Sequence, residues 1–476
     1  MSLSSSLFSG ISGLSTLGNA MQIIGDNIAN VNTVGFKGSR VTFQDVLSQT
    51  VATTSGSAQV GRGSSLADIS STFSQGSFES TDSATDLAIG GEGFFVVRDP
   101  NNANSDYYTR AGEFRFDKDG NFVNPAGYIV RGWALDPSTG EDYGSLTDVT
   151  LSSFTSSPSE TDKMTVITNL NSDATSKTAN LEAAWDGSQT APIASTSYEY
   201  QTTVKAYDSL GSTHDVTVYY DRGSNPGEWE YIVTCNPDED ARSNAAGTAG
   251  AGLLAKGTIN FATSSGTIQS MDMDLFNGNN GGDWTNVSDP NNWTAATADT
   301  NGYLAFQPEF INGSAMDVEL DIGARYDGVA NWVPSSLSSS QFSSSSTTVF
   351  QSADGYGAGD LQSVSVDTDG VITGQYSNGQ VIPLYRVALA KFQNNDGLFK
   401  VGGNLWRETR LSGDPITGAP GSNGTGNISA NSLEQSNVDI ANEFVKMITT
   451  QRGFQANSKI ITVTDQMLAD LINLKR

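Results

Sequence analysis

Leu433, Ile440, Met447, Phe454, Ile461 and Leu468 stand seven residues apart over the last stretch of the chain, and Phe444 and Leu471 widen that row into a stripe. An apolar repeat of seven sustained over six positions fits one side of an α-helix, which must then bury that side. The opposite end carries a matching signal. Leu7, Leu14, Met21 and Ile28 form one row, and Leu17, Ile24 and Val31 form its neighbour. The spacing predicts helices over 1–30 and 433–476, paired as a coiled-coil stem from which the chain leaves and to which it returns.

The first helix has a cost that constrains its surroundings. Gly10, Gly13, Gly18 and Gly25 each disfavour a helix interior by about 1 kcal/mol relative to Ala. A helix carrying four of them needs close packing against other helices to be stable. Between the ends the character changes. Charged residues make up only 16% of the chain and glycines number 50, a mixture that favours turns and strands. Residues 31–70 are polar and small and predict an extended linker. Beyond them, "EFRFDKDGNFVNPAGYIVRGW" alternates apolar and polar residues around Asp119-Gly120, and "GVITGQYSNGQVIPLYRVALAKF" does so around Asn378-Gly379, as hairpins do. Tyr198–Tyr207 and His214–Tyr220 flank a "DSLGST" turn, with Trp229–Thr234 as a third strand. The fold class expected is α+β, mainly β: terminal helices, an extended linker, and two or three barrel- or sandwich-like β domains nested in the chain.

Composition removes several kinds of function. A net charge of −27 argues against nucleic acid as a partner, because phosphates would be repelled. The charge is uneven: residues 145–350 hold 25 acidic and 7 basic side chains. One cysteine, Cys235, and one histidine, His214, leave no intramolecular disulfide, no His/Cys metal site and no histidine-based triad. "DKDGN" and "DTDG" lack the ligand spacing of a calcium loop and sit at hairpin turns. Cys235 lies among acidic residues in "YIVTCNPDED", which disfavour its thiolate. The expectation is therefore no catalytic residue, no metal, no cofactor and no enzyme activity. No apolar run is long enough to span a membrane, and the amino terminus lacks the positive region of a secretory signal. Ordinary rules would leave such a protein in the cytoplasm.

"NIANVNTVGFK", residues 27–37, stops the first helical rhythm. Its asparagines tolerate turn geometry and Gly35 frees the backbone. This stretch, together with "DLAIGGEGFFVV" (86–97), "YYTRAGEFRFDKDGNFVNPAGYIVRGW" (107–133) and "LEQSNVDIANEFVKMITTQRGFQANSKIITVTDQML" (433–468), resembles the bacterial flagellar rod and hook family. The blocks follow the family's order and cover about the first 135 and last 120 residues. Residues 197–233 are similar to the outer β-domain of the family's hook branch. Residues 352–380 resemble the return into its inner β-domain.

The resemblance implies a layered subunit, with 1–30 and 433–476 lining a central channel and 31–70 as linker. An inner β-domain would comprise 71–145 with 350–432, and 146–349 would form one or two outer domains. It further implies helical assembly with copies of itself into a curved hollow tube, a universal joint carrying motor torque to the filament. The partners implied are the distal rod protein, the hook cap and the hook–filament junction protein. Export would run through the flagellar type III channel without a cleaved signal peptide, to an extracellular location. A distal rod or junction protein is the alternative within the family, and a secreted β-rich adhesin lies outside it. Asn27, Asn30, Asn32, Gly35, Phe36 and Lys37 become linker contacts, with Phe36 as their apolar anchor and Lys37, the first positive charge, expected at a subunit contact. Some spirochaete members cross-link subunits through cysteine and lysine, but nothing around Cys235 demands that chemistry here.

Overall fold

The computed structural model describes residues 2–474 except 54–55, 103–104, 138, 152–153, 278–282, 311–314 and 330. The chain divides into two compact units, one formed by 1–154 with 361–476 and the other by 155–360. It is mainly β with a helix at each end, as expected.

In the first unit, helix α1 spans Ser2–Ala29 and helix α2 spans Ile440–Leu474. They run antiparallel. A Cβ on Gly10 would lie 3.2 Å from Ile461 Cγ1, one on Gly13 would lie 2.8 Å from Asn457 Nδ2, and one on Gly453 would lie 3.2 Å from Leu17 Cδ1. Three of the glycines thus let the two backbones approach. The linker is an extended hairpin: Ser39–Asp45 pairs antiparallel with Ser64–Ser71, and Gln49–Thr53 with Gly56–Val60. Ser64 donates its amide to Ser12 Oγ, which lays the hairpin base against α1.

The sheet of this unit places Val371–Tyr376, Val381–Val387, Ile129–Leu135, Phe94–Arg98, Asp106–Thr109, Leu405–Arg407 and Phe399–Gly402 side by side, all antiparallel. "FFVVR" has no polar alternation because both faces of that strand are covered. Phe95 and Val97 enter one core with Leu87, Phe122 and Leu389, while Phe94 and Val96 enter another with Tyr108, Phe392 and Trp406. Short C-terminal strands close the unit. Asn427–Ala430 pairs with Leu87–Gly90, and Ser432–Glu434 pairs with Phe78–Ser80.

Two expectations are corrected here. Leu433 belongs to a strand rather than to the helical stripe, is buried, and pairs with Glu79. The helix starts seven residues later because Asp439 caps it, accepting the amides of Ala441 (2.8 Å) and Asn442 (3.1 Å). Val31 falls in the turn after α1, so the neighbouring row ends at Ile24.

The second unit is built mainly on two sheets that share a core, beside a second apolar cluster that includes Leu181, Trp185, Ile232, Phe276 and Trp284. In one sheet Tyr200–Tyr207, Thr213–Arg222, Glu228–Thr234 and Leu253–Phe261 form an antiparallel meander. The other is centred on Lys163–Asn171, parallel to Val318–Asp321 and Ser340–Phe342 and antiparallel to Thr347–Ala353. Alternate residues Val204, Val216, Val218, Trp229 and Tyr231 meet Met164, Val166, Phe306 and Leu320 between the sheets. Both units are built from open sheets, and no closed barrel occurs among the described residues.

One turn recurs in both units. Asp117, Asn124, Asp208, Asp299 and Asp367 each accept, through Oδ1, the amides two and four residues ahead. The residue three ahead is in each case a glycine with positive φ, between 74° and 89°. "DKDGN" and "DTDG" are two of these turns, with the leading carboxylate committed to its own backbone.

Candidate assembly site

The helical pair buries less apolar surface than it offers. On α1, Ala20 and Ile24 are buried, and Leu7, Leu14, Leu17, Met21 and Ile28 are half-buried. On α2 the row splits. Met447 and Ile461 face α1 half-buried, whereas Ile440, Phe444, Phe454 and Leu468 are exposed. Val445, Ile448, Ile460, Val463, Met467 and Ile472 are exposed as well. The side chain of Leu471 lies outside the described residues. What α2 turns toward α1 is largely small or polar: buried Glu443 and Thr464, half-buried Gly453 and Asn457. An apolar repeat that leaves most of its members in water over a 35-residue helix forms an exposed apolar row of the kind that marks interaction sites. Among the described residues no helix is long and apolar enough to cross a membrane.

Where the stem meets the β-unit, the linker residues are held by their own chain. Glu434 sits between two cations. Lys37 Nζ is 2.6 Å from its Oε1 and Arg110 Nη1 is 3.2 Å from its Oε2, with Lys37 and Glu434 fully buried and Arg110 4% exposed. Buried charges persist when their remaining hydrogen-bonding capacity is met. Lys37 also donates to Ser74 O (2.8 Å), Arg110 Nη2 to Gly91 O (2.8 Å), and the Gly76 amide to Glu434 Oε1 (2.8 Å). Burial pushes the Lys37 ammonium below its ordinary range, and Glu434 opposes that push. Gly35 adopts φ +65°, and a Cβ there would lie 2.5 Å from the Ala111 amide nitrogen, so no other residue fits. The Gly35 amide donates to Glu434 O (2.7 Å).

A second polar seam runs alongside. Asn27 is buried and bonded to Ser39. Asn437 accepts the Gly38 amide at 2.9 Å and donates to Thr72 O at 2.7 Å. Asn30 donates to Asp26 O at 2.9 Å, and Asn32 is exposed. Phe36 is buried under Lys400, whose Nζ stands 4.5 Å from the ring centre.

Lys37, expected at a subunit contact, is enclosed by its own fold in the single chain, and Phe36 is buried beside it. Glu434 and Arg110 are the site residues that sequence reasoning missed. Both lie inside motif blocks, yet 397 residues separate Lys37 from Glu434, and no local spacing betrays a partner at that distance. Cys235 is buried and its thiol is pushed up to about 12, first by burial and then by Asp240, which disfavours its thiolate.

Four family models match the chain in order. Residues 7–37 match a flagella basal body rod protein model, 88–169 the flagellar hook protein FlgE/F/G D1 domain, 169–356 the flagellar basal body protein FlaE D2 domain, and 429–474 the flagellar basal body rod FlgEFG C-terminal model. A β-rich chain closed by an incompletely covered helical stem and built from these modules is a structural protein of the bacterial flagellum. Relatives narrow the class. The flagellar hook protein FlgE of Borreliella burgdorferi is 33% identical over 99% of both chains, that of Treponema pallidum 31% over 99% of both, and that of Salmonella typhimurium 30% over 98% of both. The chain belongs to the flagellar hook protein family.

Proposed function

We propose that this chain polymerises helically with copies of itself into the curved, hollow tube of the hook, using the uncovered face of the stem as its principal contact. The observation that carries this is the row of exposed apolar side chains on α2, from Phe444 and Ile448 to Ile460, Val463 and Met467. Burying a side chain of this kind from full exposure is worth about 1.5–3 kcal/mol, and covering what remains exposed on each gains a part of that, so a lateral contact repeated along this face gives a stiff inner layer. In this arrangement the helices line the channel, with 31–70 as linker, 71–145 with 350–432 as inner β-domain and 146–349 outermost. The acidic outer region keeps outer contacts weak and breakable, which lets subunits slide as the tube bends. The role is structural rather than catalytic.

The same proposal makes the distal rod protein, the hook cap and the hook–filament junction protein its neighbours, and export through the flagellar channel its route, without a cleaved signal. Electron microscopy of polymer grown from the purified chain tests it. Curved, channelled tubes are expected, and Ile448→Glu with Ile460→Glu should leave a folded monomer that does not polymerise. Straight rods, or unimpaired assembly by the double variant, would count against it.

A further inference from the structure

Glu434 gathers four positions that are remote in sequence. Its carbonyl oxygen accepts from Gly35, Oε1 from Lys37 and Gly76, and Oε2 from Arg110. The separations are 397 residues to Lys37 and 324 to Arg110. Without this carboxylate the cavity would hold two cations, a lysine and an arginine, with one carbonyl partner each, Ser74 O and Gly91 O. Like charges brought together away from water repel strongly and lose their hydration. The segments carrying them are then better solvated than folded.

The flanking strands show the same dependence. Phe78–Ser80 pairs only with Ser432–Glu434, and Leu87–Gly90 only with Asn427–Ala430, among the described residues. By contrast, the hairpins Phe94–Arg98 with Asp106–Thr109 and Thr213–Arg222 with Glu228–Thr234 are pairings between neighbours in the chain, which form early because little chain entropy opposes them.

We propose that Glu434 is a chain-completion lock: the inner unit stays open around residues 34–38, 74–80 and 87–90 until the C-terminal strand brings the Glu434 carboxylate between Lys37 and Arg110. The lock closes last and only when nearly the whole chain is present. A chain delivered amino terminus first therefore holds this unit open until its late strand Ser432–Glu434 arrives. The lock is a property of the single chain and stands independently of polymerisation.

Pulsed hydrogen exchange with mass spectrometry on the full-length chain, refolding from urea, tests the order of closure. Residues 34–38, 74–80 and 87–90 are expected to gain protection together in the last phase, after 94–109 and 213–234. Protection of 34–38 with or before those hairpins would overturn the proposal. Glu434→Gln should raise the unfolding rate by about tenfold or more and change the folding rate by less than about twofold, the signature of a contact formed after the transition state. Slowed folding with unchanged unfolding would overturn it. If that variant does not fold, the Lys37→Met, Arg110→Met, Glu434→Met triple variant keeps bulk and removes charge. Its 34–38 segment should then gain protection earlier than in the parent chain, and an unchanged delay would refute the electrostatic gate.

Discussion

Asn27 and Ser39 exchange two hydrogen bonds, Asn27 Nδ2 to Ser39 O and Ser39 N to Asn27 Oδ1, both 2.9 Å. The amide side chain stands in for a strand neighbour, tying the last turn of α1 to the first linker strand. Its Nδ2 also lies 3.4 Å from Glu443 Oε2 at the start of α2. One residue thus fixes the angle at which both helices enter the β-unit. Replacing it by alanine leaves the half-buried amide and carbonyl of Ser39 without these partners, at a cost of about 1 kcal/mol or more. Urea unfolding of the monomer should show that loss for Asn27→Ala, and a larger one for Asn27→Asp, whose carboxylate would face Glu443 and a carbonyl. Equal stability of Asn27→Ala and the parent would contradict the bridging role.

The α1 glycines divide into two kinds. Gly10 and Gly13 lie against α2, whereas a Cβ on Gly18 or Gly25 would meet nothing within 4 Å. Gly18→Ala and Gly25→Ala should therefore each add about 1 kcal/mol to the helix, visible as raised helicity or melting temperature of the monomer. Gly13→Leu should do the reverse, since Asn457 occupies the space it needs. If Gly18→Ala fails to stabilise the monomer, that face of α1 is not free.

The sequence displayed repeated patterns well and remote partnerships poorly. Heptad rows revealed both helices, because seven-residue spacing is a local property of a chain. The same rows misplaced Leu433, since a strand residue that happens to fall on the period satisfies it equally. Hairpins were readable from Asp119-Gly120 and the "DSLGST" turn for the same local reason. Lys37, the first positive charge of the chain, shows no partner in its own stretch of sequence. Its neighbour is Glu434, and burial of that pair depends on how the β-unit closes, which no window of sequence contains.

Cys235 offers a direct chemical check. Its side chain lies in the core of the second unit with Trp229, Tyr231 and Val233, and its thiol is pushed up to about 12. In native protein at pH 8 the thiolate is scarce and unreachable, so iodoacetamide and aromatic disulfide reagents should leave it unmodified. One equivalent should react on unfolding in urea. Stoichiometric labelling of the native chain would show that this core opens.

The recurrent aspartate turn gives the second unit an acid limit. Burial alone would raise the Asp208 carboxyl, yet the Ser212 amide, His214 and the Leu210 amide together hold it below the ordinary carboxylate range. Asp299 is likewise held low against its burial, chiefly by the Tyr303 amide. A lowered carboxyl stabilises the fold above its unfolded value, near pH 4, and that contribution is lost as pH falls through the lower folded value. Asp162, Glu230, Asp274 and Glu319 are shifted the other way, each first by burial. Their protonation favours the folded state, so stability rises as pH drops toward their unfolded values. The two sets together predict a maximum at mildly acidic pH and a steep fall below about pH 4. Melting curves of the full chain at stepped pH, read by tryptophan fluorescence, should trace that peak. Asp208→Asn keeps an acceptor for the Leu210 and Ser212 amides but cannot titrate, so its acid-side fall should be shallower. A stability that climbs steadily to pH 2, or an acid limb unchanged in Asp208→Asn, would remove the turn carboxylates as its cause.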